Sequence, residues 1–191
     1  MRIYTRAGDD GTTGLLFGGR VPKDSPTTAA GGDVDEAQAA LGVARSLAPA
    51  GSELDALVVG AQRDLWVLMA ELATAPANRS KLRPGQTLVT AEMVARLEST
   101  IDDLVIRFSP PTGFVVPGQS PVGAALDVAR AVVRRAERRA LAAAAPGSAV
   151  VPYLNRLSDL LWTMARWQEG TSLPARAVAS PGAVPSPRPE E

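Results

Sequence analysis

The 191-residue sequence contains neither cysteine nor histidine. Without cysteine there are no disulfides, thiolate metal sites or cysteine nucleophiles, and without histidine there are no Ser-His-Asp triads, no His-ligated zinc and no usual neutral-pH general base. Carboxylates, Lys, Arg, hydroxyls and backbone amides are left to do any chemistry. Aromatic residues make up only 4% of the chain, and the abundance of alanine favours close-packed helices over a sheet. No charge of one sign is in excess: Lys+Arg and Asp+Glu are both 20. That balance gives no general case for a nucleic-acid or membrane-surface partner, so any anion site must be local. The start, MRIYTRAGDDGTTG, lacks the apolar run of a signal peptide, and no window approaches the roughly 18 uninterrupted apolar residues of a membrane span. The expectation is a soluble, cytoplasmic protein with no membrane partner.

With 46% hydrophobic residues the chain is long enough for one sizeable core, which predicts one domain with a tail. Residues 1–32 are rich in Gly, Thr, Asp and Pro and read as a mostly extended, loop-forming arm. Asp33 and Glu36 form a potential capping box, so the first helix is expected from Asp33 to about Leu47. Ser52 opens the second, with Leu54, Val58, Ala61, Leu65, Leu68 and Leu72 at helical spacing. Residues 75–89 have the Pro, Gly and charge content of an exposed loop, and Thr90 caps a third helix to about Ile106. Ser120-Pro121 supplies an N-cap with proline in the first helical position for a fourth helix, which reaches about Leu141. The fifth runs from about Val151 to Gln168. Short joins between long helices imply antiparallel neighbours, hence an all-α bundle. The Pro-, Ser- and Ala-rich residues 171–191 are expected to be a disordered tail.

Three stretches could carry chemistry. Thr5-Arg6-Ala7-Gly8-Asp9-Asp10-Gly11-Thr12-Thr13-Gly14 combines three glycines with three threonines, which lets a loop present amides and hydroxyls to phosphate oxygens. It is not a P-loop, and a flexible N-terminus explains it as well; Lys23 is similarly either a phosphate ligand or an ordinary loop lysine. On the fourth helix Arg134 lies about 40° and Glu137 about 20° from Arg130 around the axis, with Arg138 beside them and Arg135 and Arg139 turned away. This stripe suits a polyanion, and equally a solvated face in which Glu137 pairs with Arg134. In Tyr153-Leu154-Asn155-Arg156-Leu157-Ser158-Asp159, a local Arg156–Asp159 bridge and a capping asparagine account for the pattern without function. Trp162 and Trp167 are read as bundle or interface packing, and Phe114, beside a Pro-Gly turn, as a core anchor.

Taken in order, YTRAGDDGTTGLLFGGRVPKD, VDEAQAALG, FVVPGQSP with ARAVVRRAER, and YLNRLSDLL resemble the PduO-type ATP:cob(I)alamin adenosyltransferases from about Ile3 to Arg166. The resemblance implies a five-helix, ferritin-like bundle with an extended N-terminal nucleotide-binding arm, assembled as a homotrimer with active sites between subunits. As domains it implies residues 1–170 for the adenosyltransferase bundle, residues 1–32 of them forming the arm, and residues 171–191 for the tail. The implied reaction moves the 5′-deoxyadenosyl group of ATP to the reduced cobalt of a corrinoid, giving adenosylcobalamin and triphosphate. Mg²⁺ accompanies the nucleotide, a corrinoid reductase and an adenosylcobalamin-dependent enzyme are implied partners, and the sequence marks no protein ligands for a metal. The other possibility is a noncatalytic paralogue that binds ATP or corrinoid as a carrier or regulator.

Carried over by position, Thr5 to Gly14, Lys23, Arg134, Arg135, Glu137, Arg138 and Asn155 correspond to the ATP site, with Arg134 the group that offsets charge on the triphosphate. Asp35 and Arg130 match a pair that bridges subunits and shapes the corrinoid pocket. Phe114 matches the aromatic residue that helps exclude the lower axial ligand of cobalt. The departures fall mainly on the corrinoid side. Asp127 stands where the family has histidine, one turn before Arg130 and placed to compete with Asp35 for it. Pro117-Gly118-Gln119 replaces PGG, Ala37 and Gln38 alter DELN, and Gly31 stands where an aromatic is common.

Overall fold

The computed structural model describes residues 3–178. Within them five α-helices carry the fold: α1 (Pro26–Ser46), α2 (Glu53–Leu72), α3 (Ala91–Val105), α4 (Pro121–Ala140) and α5 (Val150–Glu169). Helix α1 packs on α2 and α4, α4 packs on α5, and α2 meets α5, which closes a four-helix core; α3 lies along α5. The seam is lined by Leu41, Leu65, Leu68, Leu126, Leu154, Leu157 and Leu161, all fully buried. Each such side chain contributes about 1.5–3 kcal/mol by leaving water. Tyr153 is also fully buried and donates its hydroxyl to Asp64 Oδ2 at 3.0 Å, and burial pushes its pKa up. The all-α architecture expected from alanine content and helical periodicity is the one observed.

The caps of four helices follow sequence rules. Ser25, Ser52, Thr90 and Ser120 each accept, through the side-chain hydroxyl, a backbone N–H three residues on, and Pro26 and Pro121 occupy first-turn positions where a missing N–H costs nothing. The first of these corrects the sequence expectation. Helix α1 begins at Pro26 rather than Asp33, so Asp33, Asp35 and Glu36 lie within the helix and make no capping box. Thr27, Thr28, Gly31 and Gly32 are weak helix formers, but Ala30, Val34, Ala37, Leu41 and Ala44 form a continuous buried edge, and that packing outweighs propensity.

The arm is therefore shorter than residues 1–32. Its centre is a two-stranded antiparallel hairpin, β1 (Thr12–Gly14) on β2 (Arg20–Pro22), with Thr13 opposite Val21. The hairpin base is tied to the bundle where the Leu16 amide donates to Ala73 O at 2.8 Å and Asn78 Nδ2 donates to Phe17 O at 3.3 Å. Asn78 belongs to a short 3₁₀ helix, Pro76–Lys81, inside the stretch expected to be loop. Buried Glu71 organises that stretch, accepting from Arg79 at 2.9 Å, the Val89 amide at 2.8 Å and the Ser148 hydroxyl at 2.6 Å. A buried carboxylate with three donors is fully accounted for as structure.

The expected tail is also corrected in part. Residues 171–178 run beside the segment before α4, where the Val116 amide donates to Leu173 O at 2.9 Å and the Ala175 amide to Phe114 O at 2.8 Å. Residues 179–191, the rest of that tail, lie outside the described residues.

Candidate functional site

The glycine- and threonine-rich loop is built into a turn. Asp10 Oδ1 accepts the Thr12 amide at 2.9 Å and the Thr12 hydroxyl at 2.8 Å, and the Thr12 amide, then its hydroxyl, hold the Asp10 carboxyl below the usual aspartate range. Arg20 reaches back from β2 to donate to Thr12 Oγ1 at 2.6 Å and to the Ala7 carbonyl, and lies 3.5 Å from Asp10. Gly11 has φ +81°, which a side chain would resist, and Arg6 adopts φ +61° at the entry to the turn. Lys23 is brought onto this loop: its amide donates to Gly11 O at 2.9 Å, and a methyl added at Gly8 would lie 3.1 Å from Lys23 Nζ. Thr5 accepts the Ala7 amide at 3.3 Å. Asp9, Thr13 and Gly14 complete the segment, Thr13 and Gly14 within β1. Sequence reasoning missed Arg20, the residue that holds the loop together; only the hairpin register brings it opposite Gly14.

Helix α4 carries the arginine stripe, and the structure divides it. Arg134 and Arg138 are exposed and have no ion-pair partner among the described residues; Arg138 donates only to the Arg134 carbonyl, at 2.9 Å. Glu137 does not pair with Arg134. It accepts from Asn155 Nδ2 of α5 at 3.0 Å, so the asparagine is not a cap and the two residues share one face. Arg135 turns the other way, to Asp33 and Glu36 of α1, with Arg139 Nε 3.9 Å from Asp33. The Glu36 hydrogen bond pushes the Arg135 pKa up. Arg135 is thus set against α1 and apart from the Arg134–Arg138 face. The local bridge expected at Arg156 is present, 2.6 Å from Asp159, and Arg156 also reaches Glu98 at 3.1 Å.

At the N-terminal end of the same stripe Phe114, Arg130, Asp127, Trp162 and Arg166 line a cavity of about 510 Å³. Phe114 is 91% exposed, so it is not a core anchor; it stands at the cavity lip on a segment backed by residues 171–178. Arg130 Nε donates to Asp127 Oδ1 at 2.9 Å and Arg166 donates to Asp127 Oδ2 at 2.6 Å. Asp35 is exposed on α1 and bonds to no side chain among the described residues, so within one copy it is Asp127 that holds Arg130. Trp162 is half-buried at the cavity wall, and Trp167 packs against the core.

These groups form three clusters: the Thr5–Gly14 loop with Lys23; Arg134, Glu137, Arg138 and Asn155; and Phe114 with Arg130. The last two share one face of α4. The loop is not joined to them by any hydrogen bond or ion pair among the described residues. Chemically, two unpaired guanidiniums beside a Glu–Asn pair suit a phosphate chain, because Arg donors match phosphate oxygens in paired fashion. The mostly apolar cavity next to them suits a large planar ligand.

A model of the family described as cobalamin adenosyltransferase matches residues 3–168. The chain is similar to a corrinoid adenosyltransferase of Mycobacterium tuberculosis H37Rv, 44% identical over 170 residues that cover 86% of this chain and 87% of that protein. It is also similar to the corrinoid adenosyltransferase PduO of Salmonella typhimurium, 36% identical over 93% of this chain and 53% of that protein. Among solved structures, a phenylalanine-to-histidine variant of a PduO-type ATP:corrinoid adenosyltransferase from Lactobacillus reuteri, complexed with cobalamin and ATP, superposes with a TM-score of 0.81. It is 28% identical, and the match covers 92% of this chain and 97% of that one.

Proposed function

The chain belongs to the cobalamin adenosyltransferase family, and on that premise we propose that it is a corrinoid adenosyltransferase. It transfers the 5′-deoxyadenosyl group of ATP to the reduced cobalt of a corrinoid, forming adenosylcobalamin and releasing triphosphate. In that step the electron pair of cobalt(I) attacks the ribose C5′, the cobalt–carbon bond forms, and the C5′–O bond breaks with its electrons leaving on triphosphate. No proton is transferred, so a chain without histidine or cysteine lacks nothing for it. The protein's work is to aim C5′ at cobalt and to offset charge on the leaving group.

The observation that carries this proposal is the division of one stripe of α4, where Arg134, Arg138 and the Glu137–Asn155 pair adjoin a cavity holding Phe114 and Arg130. Arg134 faces the triphosphate as charge builds on it, with Arg138 beside it, while Glu137 and Asn155 orient the nucleoside. Arg135 contributes through its hold on α1. Phe114 stands at the cavity lip, where it keeps a lower ligand off cobalt and so makes cobalt(II) easier to reduce. Thr5 to Gly14 and Lys23 supply amides, hydroxyls and an ammonium to the phosphates. That loop and the Arg134–Arg138 face are unconnected within one copy, and exposed Asp35 lacks the Arg130 contact, which supports a site assembled between copies; three copies is the number the family resemblance implies. Mg²⁺ arrives with ATP: the described residues hold no group of three carboxylates fit for a metal, and Mg²⁺ at nucleotides is held chiefly by phosphate oxygens and water.

In domain terms residues 1–170 form the catalytic unit and residues 171–191 a tail whose first part backs the Phe114 segment. We place the protein in the cytoplasm, supplied with electrons by a corrinoid reductase and handing its product to an adenosylcobalamin-dependent enzyme; no described helix is long and apolar enough to cross a membrane. Anaerobic mixing with ATP and cob(I)alamin tests the proposal. The expected result is the visible spectrum of adenosylcobalamin with one triphosphate per corrinoid. Binding of ATP and corrinoid without product would replace the enzyme with a noncatalytic carrier.

A further inference from the structure

Residues 108–119 join α3 to α4 and carry Phe114, yet they make only two backbone hydrogen bonds to the rest of the chain among the described residues. Both run to residues 171–178: the Val116 amide donates to Leu173 O at 2.9 Å, and the Ala175 amide donates to Phe114 O at 2.8 Å. They flank Val115, which pairs with Pro174 in an antiparallel bridge. A cavity of about 430 Å³ lies between loop residues 109–115 and residues 170–174, so the two bonds, more than side-chain packing, set the place of the loop. The segment that makes these bonds starts from a fixed point. Glu169, the last residue of α5, has its carboxylate buried 3.1 Å from Arg166 and against the first turn of α4, where a methyl added at Gly123 would lie 2.6 Å from Oε1. Arg166 is itself fully buried and bonded to Asp127. The next residue, Gly170, takes φ +65°, which ends α5 and turns the chain toward the loop.

A loop held at two points shifts when either is lost, and one of the two is the carbonyl of Phe114 itself. We propose that residues 171–178 are a strap that fixes where Phe114 stands at the cavity lip, and that Ala175, through its amide, is a positioning residue for removal of the lower ligand from bound cob(II)alamin. The proposal rests on the corrinoid reading of that cavity. Both bonds lie within one chain and use only backbone atoms, so the pairing does not depend on which groups of a neighbouring copy meet the cavity. For the same reason a change at position 175 matters when it removes the amide, and not when it alters the side chain. Part of a tail whose composition predicts disorder thus acquires a role in the site.

The test uses the full-length protein with saturating ATP and cob(II)alamin, read by visible and electron paramagnetic resonance spectra, in which the nitrogen of a lower ligand splits the cobalt signal. Ala175→Pro removes the donor and suits the local backbone, since Pro174 has the extended φ −64° and ψ 134° that a residue before proline needs, and position 175 opens a short 3₁₀ turn. The ratio of bound cob(II)alamin without a lower ligand to that with one is expected to fall about fivefold, the effect of one lost hydrogen bond, with the Kd for ATP unchanged. Ala175→Ser, which keeps the amide, is expected to match the wild type. In a Phe114→Ala background, Ala175→Pro is expected to have no further effect. An unchanged ratio in Ala175→Pro, an equal fall in Ala175→Ser or in both backgrounds, or a parallel weakening of ATP binding overturns the positioning role. Amide exchange of the unliganded wild type needs no variant. Val116 and Ala175 are expected to exchange about tenfold more slowly than Gly113 and Phe114, whose amides have no acceptor among the described residues, and equal rates overturn the strap. A wild type that strips the lower ligand with this dependence on Ala175, yet makes no adenosylcobalamin, fails as an enzyme while the role of the strap stands; a wild type that binds no corrinoid overturns both.

Discussion

The two ends of the α4 stripe are made of the same residue type and are finished in opposite ways. Toward the N-terminus, Arg130 is half-buried and has its charge paired within its own chain by Asp127, which is in turn braced by Arg166. Toward the C-terminus, Arg134 and Arg138 are exposed and have no carboxylate partner among the described residues. An arginine in a low-dielectric cavity must carry its counter-charge with it, whereas one at a wet surface can wait for a polyanion. The first end is therefore preorganised for a large ligand of low charge, and the second is left open for a highly charged one.

Removing the open end is expected to have the largest effect. Arg134→Ala should lower kcat about 100- to 1000-fold, the range for losing one preorganised charge-stabilising donor, while the assembly persists by size-exclusion chromatography. Turnover near wild type would mean that triphosphate charge is met elsewhere. A smaller effect is expected from the latch of the loop: Arg20→Met frees Ala7 and Thr12 and should raise KM for ATP about tenfold, the lower bound for a hydrogen bond to a charged group, with KM for corrinoid unmoved. Equal rises in both constants would show that the hairpin supports the two ends alike.

The smallest effect concerns pH. The Asp10 carboxyl is held below its ordinary value of 3.8 in the folded loop. A lowered folded pKa stabilises the loop above the unfolded pKa, and that contribution fades only as pH falls through the lowered value. KM for ATP should then show no Asp10-dependent inflection between about pH 5 and about pH 8. An inflection in that window that Asp10→Asn removes would mean that the carboxyl is raised in solution, the opposite of what the Thr12 and Arg20 contacts do to it.

The helices after residue 50 could be placed from the sequence because Ser52, Thr90 and Ser120 announce their own starts, and leucine spacing gives their faces. The start of α1 could not, since Gly31 and Gly32 suggest a break that burial of Ala30, Val34 and Ala37 overrules. Among site residues, Lys23 near the loop is legible as a possible phosphate ligand, whereas Asn155 reads locally as a cap and enters the site only through the family resemblance; its bond to Glu137 is a matter of packing. Nothing in the local sequence singled out Arg20, Arg166 or Glu169. Each acquires its role from a residue at least one element away, or from the close approach of two helices, and helical or strand periodicity carries no information about either.

By itself the sequence determined the all-helical class, the bounds of most helices, the nearness of Arg130, Arg134 and Glu137 around one helix, and the exclusion of thiol and imidazole chemistry. These follow from residue type and from geometry repeated every turn. Tertiary structure alone decided which of those arginines are paired: α1 supplies Asp33 and Glu36 to Arg135, α5 supplies Asn155 to Glu137 and Arg166 to Asp127, and nothing within the described chain meets Arg134. The reason is range. Hydrogen bonds and close ion pairs act over a few ångströms, so the state of a charged side chain is set by whichever helix packs across from it.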